Sequence, residues 1–182
     1  MSWSIAQNHP LRRLFVELVG SEFSGERDLA DYIANLLVDF THVDCLYRIR
    51  NSRGKRLEDV GEMLIESNPI LEGRSFDYER EVRKHIGDYT LFLTGMFPEY
   101  VARLPRRGLR LDSVIDYIEA GKESYRVVAA FDQFEYRHAA PLFRRLSAEF
   151  EHCVHGLNQV KSKLAALRET QYQVWRRNLL ET

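Results

Sequence analysis

Two places in the chain set a carboxylate three residues ahead of a histidine: Glu135 with His138, and Glu149 with His152. On a helix, residues at that spacing share a face, so each pair is able to offer an oxygen and a nitrogen to one metal ion. Glu81, His85 and Asp88 supply further ligands from which a metal shell would be completed. Asp88 has a second claim to chemistry. It is the single charge in the apolar stretch Ile86 to Phe97, and a buried carboxylate has to be paired, hydrogen-bonded or protonated. Its expected partners are His85, one turn earlier, or Lys122 and Arg126 further along the chain. A structural ion pair is the favoured reading of Asp88. The alternative is a carboxylate of shifted pKa in a small-molecule pocket walled by His85, Tyr89, Tyr117 and Tyr125.

The spacing of the two Glu and His pairs resembles that of ferritin-like dinuclear iron and manganese proteins, which carry such pairs on two helices of a four-helix bundle. The resemblance is limited to spacing. The pairs lie 14 residues apart, so only a tight turn around His138 to Pro141 would bring them together. On that resemblance an iron or manganese enzyme is the alternative, while surface residues with no cofactor are the favoured reading. Zinc at His152, Cys153 and His155 is discounted, because Cys153 falls on an apolar seam and structural zinc needs four convergent ligands.

Basic residues gather in two short connections: Arg48, Arg50, Arg53, Lys55 and Arg56 in one, and Arg103, Arg106, Arg107 and Arg110 in the other. Arginine suits fork-like pairing with carboxylate or phosphate, so these loops are the candidate contact with an acidic protein or a small anion, while surface arginines answering the many acidic residues are the favoured reading of the clusters themselves. A uniformly basic surface is excluded, since 26 basic residues face 27 acidic ones for a net charge of -1. No helix-turn-helix, zinc-finger or RNA-recognition signature points to nucleic acid. A phosphate loop, a Gly-x-Ser-x-Gly elbow, His-Glu-x-x-His and Cys-x-x-Cys are all missing, which removes the common motif-bearing enzymes.

These side chains must be positioned by helices. Hydrophobic residues form 45% of the 182, enough for one core without disulfide or metal. Their spacing is three and four almost throughout, which predicts an all-α bundle of five to seven helices in one domain over residues 1–182. The first helix runs from Pro10 to about Phe23, the second from Arg27 to Ile49, and a turn follows at Asn51 to Gly54. A short helix covers Leu57 to Glu66, and a central one starts at a Ser75 cap and is apolar nearly all round from Ile86 to Phe97. Pro98 restarts it, and Asp112 caps a helix that reaches Tyr136. The last helix opens near Pro141 with a heptad seam of Phe143, Leu146, Phe150, Cys153, Leu157, Val160, Leu164 and Leu167. Gly87, Gly95 and Gly121 inside helices point to close crossings. The tail 168–182 carries Tyr172, Val174, Trp175, Leu179 and Leu180 and is the expected docking or homodimerisation element.

Two separated cysteines in patterned segments, no signal-like N-terminus and no span of the ~20 apolar residues a membrane helix needs together predict a cytoplasmic protein. The favoured function is a non-enzymatic interaction or binding module.

Overall fold

The structure is a computed structural model that describes residues 9–68, 70, 75–104 and 113–181. It is all-α, but the helix count departs from expectation. Among the described residues there are ten α-helices, eight of them seven residues or longer, where five to seven were expected. They are α1 (Pro10–Glu22), α2 (Arg27–Asp39), α3 (Val43–Leu46), α4 (Val60–Glu66), α5 (Phe76–Met96), α6 (Pro98–Arg103), α7 (Val114–Ala130), α8 (Ala140–Ala148), α9 (Phe150–Ala166) and α10 (Thr170–Leu180).

The excess comes from breaks that leave the apolar spacing intact. The expected second helix stops at Asp39, where Thr41 and His42 bond three residues back and the Thr41 hydroxyl donates to the Val38 carbonyl. That local bond competes with the helical ladder, and the extended backbone of His42 then starts α3 afresh. The expected last helix is divided at Glu149, whose φ of -107° and ψ of 25° leave the helical region. The bonds from Glu149 to Arg145 and from Cys153 to Glu149 persist across the break, so the seam stays in register and is buried from Phe143 to Leu164. Leu167, its expected last member, is exposed. A hydrophobic stripe reports which face is buried, and one distorted residue does not rotate it out of register.

Caps fix several of the other ends. Ser75 accepts from the Tyr78 amide at 3.2 Å, as expected. For α7 the cap is Ser113, in a reciprocal box with Asp116; the expected cap, Asp112, lies outside the described residues, and the helix ends at Ala130 rather than Tyr136. After α9 the Glu169 amide reaches the Leu164 carbonyl and the Arg168 amide reaches Ala165. This is the Schellman arrangement, with Arg168 held at φ +50° where glycine is usual. It turns the tail back, so that α10 buries Tyr172, Trp175 and Leu179 against its own chain.

α5 is the axis. α7 and α9 pack along it, α4 lies against it, and α1 and α2 form a hairpin that closes on α9. Three glycines allow the close approaches: a Cβ at Gly87 would overlap the Tyr125 ring, at Gly95 it would overlap Leu157, and at Gly121 it would overlap Phe150 and Thr90. Trp175 stacks on Phe15 and meets Phe92 and Phe97 edge-on, and its ring N–H donates to the Phe40 carbonyl at 2.9 Å. Among the described residues, no helix is long and apolar enough to cross a membrane.

Candidate functional site

Asp88 lies on α5 with 7% of its surface exposed and both oxygens occupied. The hydroxyls of Tyr32 and Tyr125 donate to Oδ1 at 2.5 and 2.7 Å, and the Lys84 ammonium donates to Oδ2 at 2.8 Å. Each donor comes from a different constraint. Lys84 is one turn back on the same helix, Tyr32 arrives on α2, and the Tyr125 ring occupies the space a Cβ at residue 87 would take, which Gly87 leaves open. Burial first, and then the Asp88 charge, push both tyrosine hydroxyls up, which keeps them protonated as donors. Three donors on one carboxylate make a lock that ties α2, α5 and α7 together.

The expected partners of Asp88 are therefore corrected. Lys122 pairs with Glu151 and Glu119, and Arg126 pairs with Glu123. His85 is turned away, packed edge-on to Phe40 and beside Tyr89, with a bond to the backbone of Leu46. Its pKa is lowered to about 3, chiefly by burial, and its Nε2 has no hydrogen-bond partner among the described residues. Tyr89 donates to the Glu58 carbonyl at 3.2 Å, away from Asp88, and Tyr117 is buried on α7. Of the expected pocket residues, Asp88 and Tyr125 are joined by a hydrogen bond. Lys84 was readable from its spacing of four to Asp88, whereas Tyr32 depends on how α2 docks and left no signal in the sequence.

The carboxylate and histidine pairs are placed apart from that lock. Glu135 lies in a single 3-10 turn, Phe134–Tyr136, and His138 follows it, so this pair does not sit on an α-helix face. Glu149, at the junction of α8 and α9, accepts from Arg145 at 3.2 Å, and His152 meets Glu26 at 3.1 Å. Arg145 also bonds Glu26, which closes a polar chain from α2 to α9. Glu81 pairs with Arg48 and Arg80. Among the described residues, no group of three or more His, Cys, Asp or Glu side chains is arranged to hold a metal ion.

The first basic connection folds as a tight turn in which Arg50 and Arg56 bridge and Gly54 takes φ +76°. Asn51 Oδ1 accepts from the amides of Arg53 and Lys55, both at 3.0 Å. Arg48 answers Glu81 and Arg56 answers Asp44, while Arg50 donates to the Gly54 carbonyl. The side chains of Arg53 and Lys55 have no partner among the described residues and face solvent. From the second cluster, Arg103 donates to the Leu180 carbonyl at 3.3 Å. Arg106, Arg107 and Arg110 lie outside the described residues.

One concave feature joins these surroundings. An apolar groove of about 230 Å³ opens between α3 and α10. Val43, Leu46 and Tyr47 form one wall, Val174, Trp175 and Leu179 the other, and Thr41, Gln171 and Asn178 add neutral polar groups. Arg48 follows the first wall directly. Exposed Arg176 and Arg177 sit on the helix of the second, outside the groove lining, and Arg103 is bonded to the carbonyl of its last residue, Leu180. Nothing in the sequence separated this groove from the core, because stripe residues of the expected second helix, now in α3, and of α10 line it. Comparison of the chain with protein-family models, with curated proteins and with solved structures finds no match in any of the three.

Proposed function

We propose that the protein is a non-enzymatic interaction module whose groove between α3 and α10 takes an acidic segment of a partner protein with an apolar anchor residue. The observation that carries this reading is the apolar groove itself, about 230 Å³, with arginines beyond both walls. An apolar slot rimmed by polar groups and cations is what an anchored acidic segment needs: the anchor supplies affinity, and the charges supply register and steering. An extended acidic segment is favoured over a small anion because the arginines do not converge. Arg48, Arg56 and Arg50 are each held by a different group, leaving separated charges rather than a nest. Asp88 supports the module from behind, as a lock on three helices whose oxygens are already taken. Both cysteines are free thiols, which suits a reducing compartment such as the cytoplasm.

The test uses Trp175, which lines the groove, as the reporter. In a Trp3→Phe background it is the single tryptophan. Displayed peptides of about twelve residues, acidic with one aromatic or leucine, are selected on the protein and titrated against its fluorescence. Selected peptides should shift the Trp175 emission, weaken about tenfold or more with Val174→Asp, and weaken with added salt. Peptides that bind Val174→Asp as tightly as the parent, or a selection that enriches none, would overturn the reading.

A further inference from the structure

We propose that the protein pairs with a second copy of itself by exchanging α10, each copy lodging its last helix in the berth that the other copy's α10 fills in the single chain. The inference goes beyond the groove reading and does not depend on it.

The berth is drawn by the chain itself. Trp175 stacks on Phe15 with ring centres 5.8 Å apart and meets Phe92 edge-on at 5.2 Å, while Tyr172 stacks on Phe97 at 5.9 Å. The Trp175 ring N–H donates to the Phe40 carbonyl, and Arg103 donates to the Leu180 carbonyl. These partners belong to α1, the end of α2, α5 and its junction with α6, and the end of α6, all of which stand before α9 in the chain. α10 is therefore joined to this berth by side-chain contacts and to its own chain by one connection, Leu167 to Glu169. The same segment from another copy makes the same contacts. A vacated berth would bare aromatic rings to water, so an α10 that leaves has to be replaced.

The connection is the strained point. It reverses the chain in a Schellman turn from which two customary parts are missing. Arg168, after the cap, takes φ +50°, where a side chain is penalised and glycine is not. Glu169 follows it, a carboxylate where an apolar residue usually packs back on the helix. Leu167, the cap itself, is 60% exposed. Nothing in the local sequence asks for a turn here: from Leu157 to Thr182 there is neither glycine nor proline, and Leu167, Arg168 and Glu169 are good helix formers. With the turn undone, α9 and α10 run as one helix from Phe150 to Leu180, about 46 Å long at a rise of ~1.5 Å per residue. In that helix Leu167 falls on the face of Val160 and Leu164, the buried seam. α10 then lies out of reach of its own berth and within reach of a second copy's, and the two hinges run side by side with Leu167 covered.

The single chain and the exchanged pair contain the same berth contacts, so the hinge decides between them. The single chain keeps its own α10 nearby, at an effective concentration in the millimolar range for a short connection. The pair relaxes two Arg168 residues and covers two Leu167 side chains. Short hinges under strain invite such exchange, and a reciprocal exchange closes on a two-fold axis.

Wild type and Arg168→Gly are incubated over a concentration series reaching the millimolar range, until the populations stop changing, and read by sedimentation velocity. Photo-cross-linking from p-benzoylphenylalanine at position 171, which lines the groove opposite α3, identifies whose berth the helix fills when isotopically distinct copies are mixed. The expected result is a dimer that grows with concentration, in which position 171 of one copy is linked to α3 of the other. Arg168→Gly leaves every berth contact in place, relieves the turn and disfavours the straight helix, so it should raise the Tm of the monomer and weaken dimerisation about tenfold or more. A chain that stays monomeric into the millimolar range, dimers whose links stay within one chain, or dimerisation untouched by Arg168→Gly would each overturn the inference. The two readings fail separately, because an exchanged pair rebuilds the groove from α3 of one copy and α10 of the other. Selected peptides that bind a strictly monomeric wild type would retain the groove and remove the exchange; a dimer with the expected links that enriches no peptide would do the reverse.

Discussion

The two sides of α5 solve the same packing problem in opposite ways. Toward α7 and α9 the helices approach so closely that Gly87, Gly95 and Gly121 each stand where a single methyl group would collide, and the buried Asp88 carboxylate is held by three donors. Toward α3 and α10 the neighbours are short, joined by breaks at Phe40 to His42 and at Arg168, and the aromatic rings leave a groove between them. The difference teaches where function has room. A face closed by glycine crossings, with its carboxylate already bound by three donors, leaves little room for a ligand, whereas a face assembled from short helices retains a void of side-chain size. If this contrast is sound, substitutions on the first side act on stability and those on the second act on binding.

The largest effect should come from Asp88→Asn. The amide would direct an N–H toward donors on one side or the other, leaving the Tyr125 hydroxyl or Lys84 poorly satisfied in a buried place. A loss of about 3 kcal/mol is expected by chemical denaturation; an unchanged midpoint would mean that Asp88 locks nothing. Gly87→Ala comes next, at about 1–3 kcal/mol for overpacking, because the Tyr125 ring cannot retreat without breaking its bond to Asp88. Pairing it with Tyr125→Phe, which frees the ring, should give less than the sum of the two losses, and strict additivity would separate the glycine from the lock.

His85 sits between the two sides, against Phe40 of the groove floor and Tyr89 of the core. Its pKa is lowered to about 3, against about 6.5 in the unfolded chain, so the native state binds fewer protons. Its contribution to stability is therefore full above pH 6.5 and falls as pH drops from about 6.5 toward about 3. At pH 5 the cost is about 2 kcal/mol, and His85→Leu should flatten this part of the pH profile. A slope that persists in that variant would place the dependence on other groups.

What the sequence made legible follows the same division. The buried face of each helix, the glycine crossings, the Ser75 cap and the oddity of Asp88 are all consequences of local spacing, and all were readable. The helix count was not, because Phe40 to His42 and Glu149 interrupt the backbone without disturbing the apolar period. Lys84 was within reach, four residues from Asp88, but the helix that brings Tyr32 is set by tertiary docking of α1 and α2 on α9. The groove was the least legible feature. Tyr47 and Trp175 look like core residues in a stripe, and only the angle between α3 and α10 decides that a void remains between them. Arg168 gave no warning either, since positive φ at an arginine is imposed by the docking of α10 on rings from elsewhere in the chain.

The smallest expected effect is on stability at the groove, and it is the one that most tests the contrast. Val174 is exposed at the groove edge, so Val174→Asp should change the unfolding free energy by no more than about 0.5 kcal/mol. The new carboxylate meets water, and Arg177, one turn later on the same helix, is available at a spacing of three. The same change places a charge on the apolar wall and so should weaken an anchored ligand about tenfold or more. Binding lost with stability kept would mark the face as a surface for partners. A loss of several kcal/mol in unfolding would instead mean that α10 is held as tightly as α7, and the two sides of α5 would no longer differ in kind.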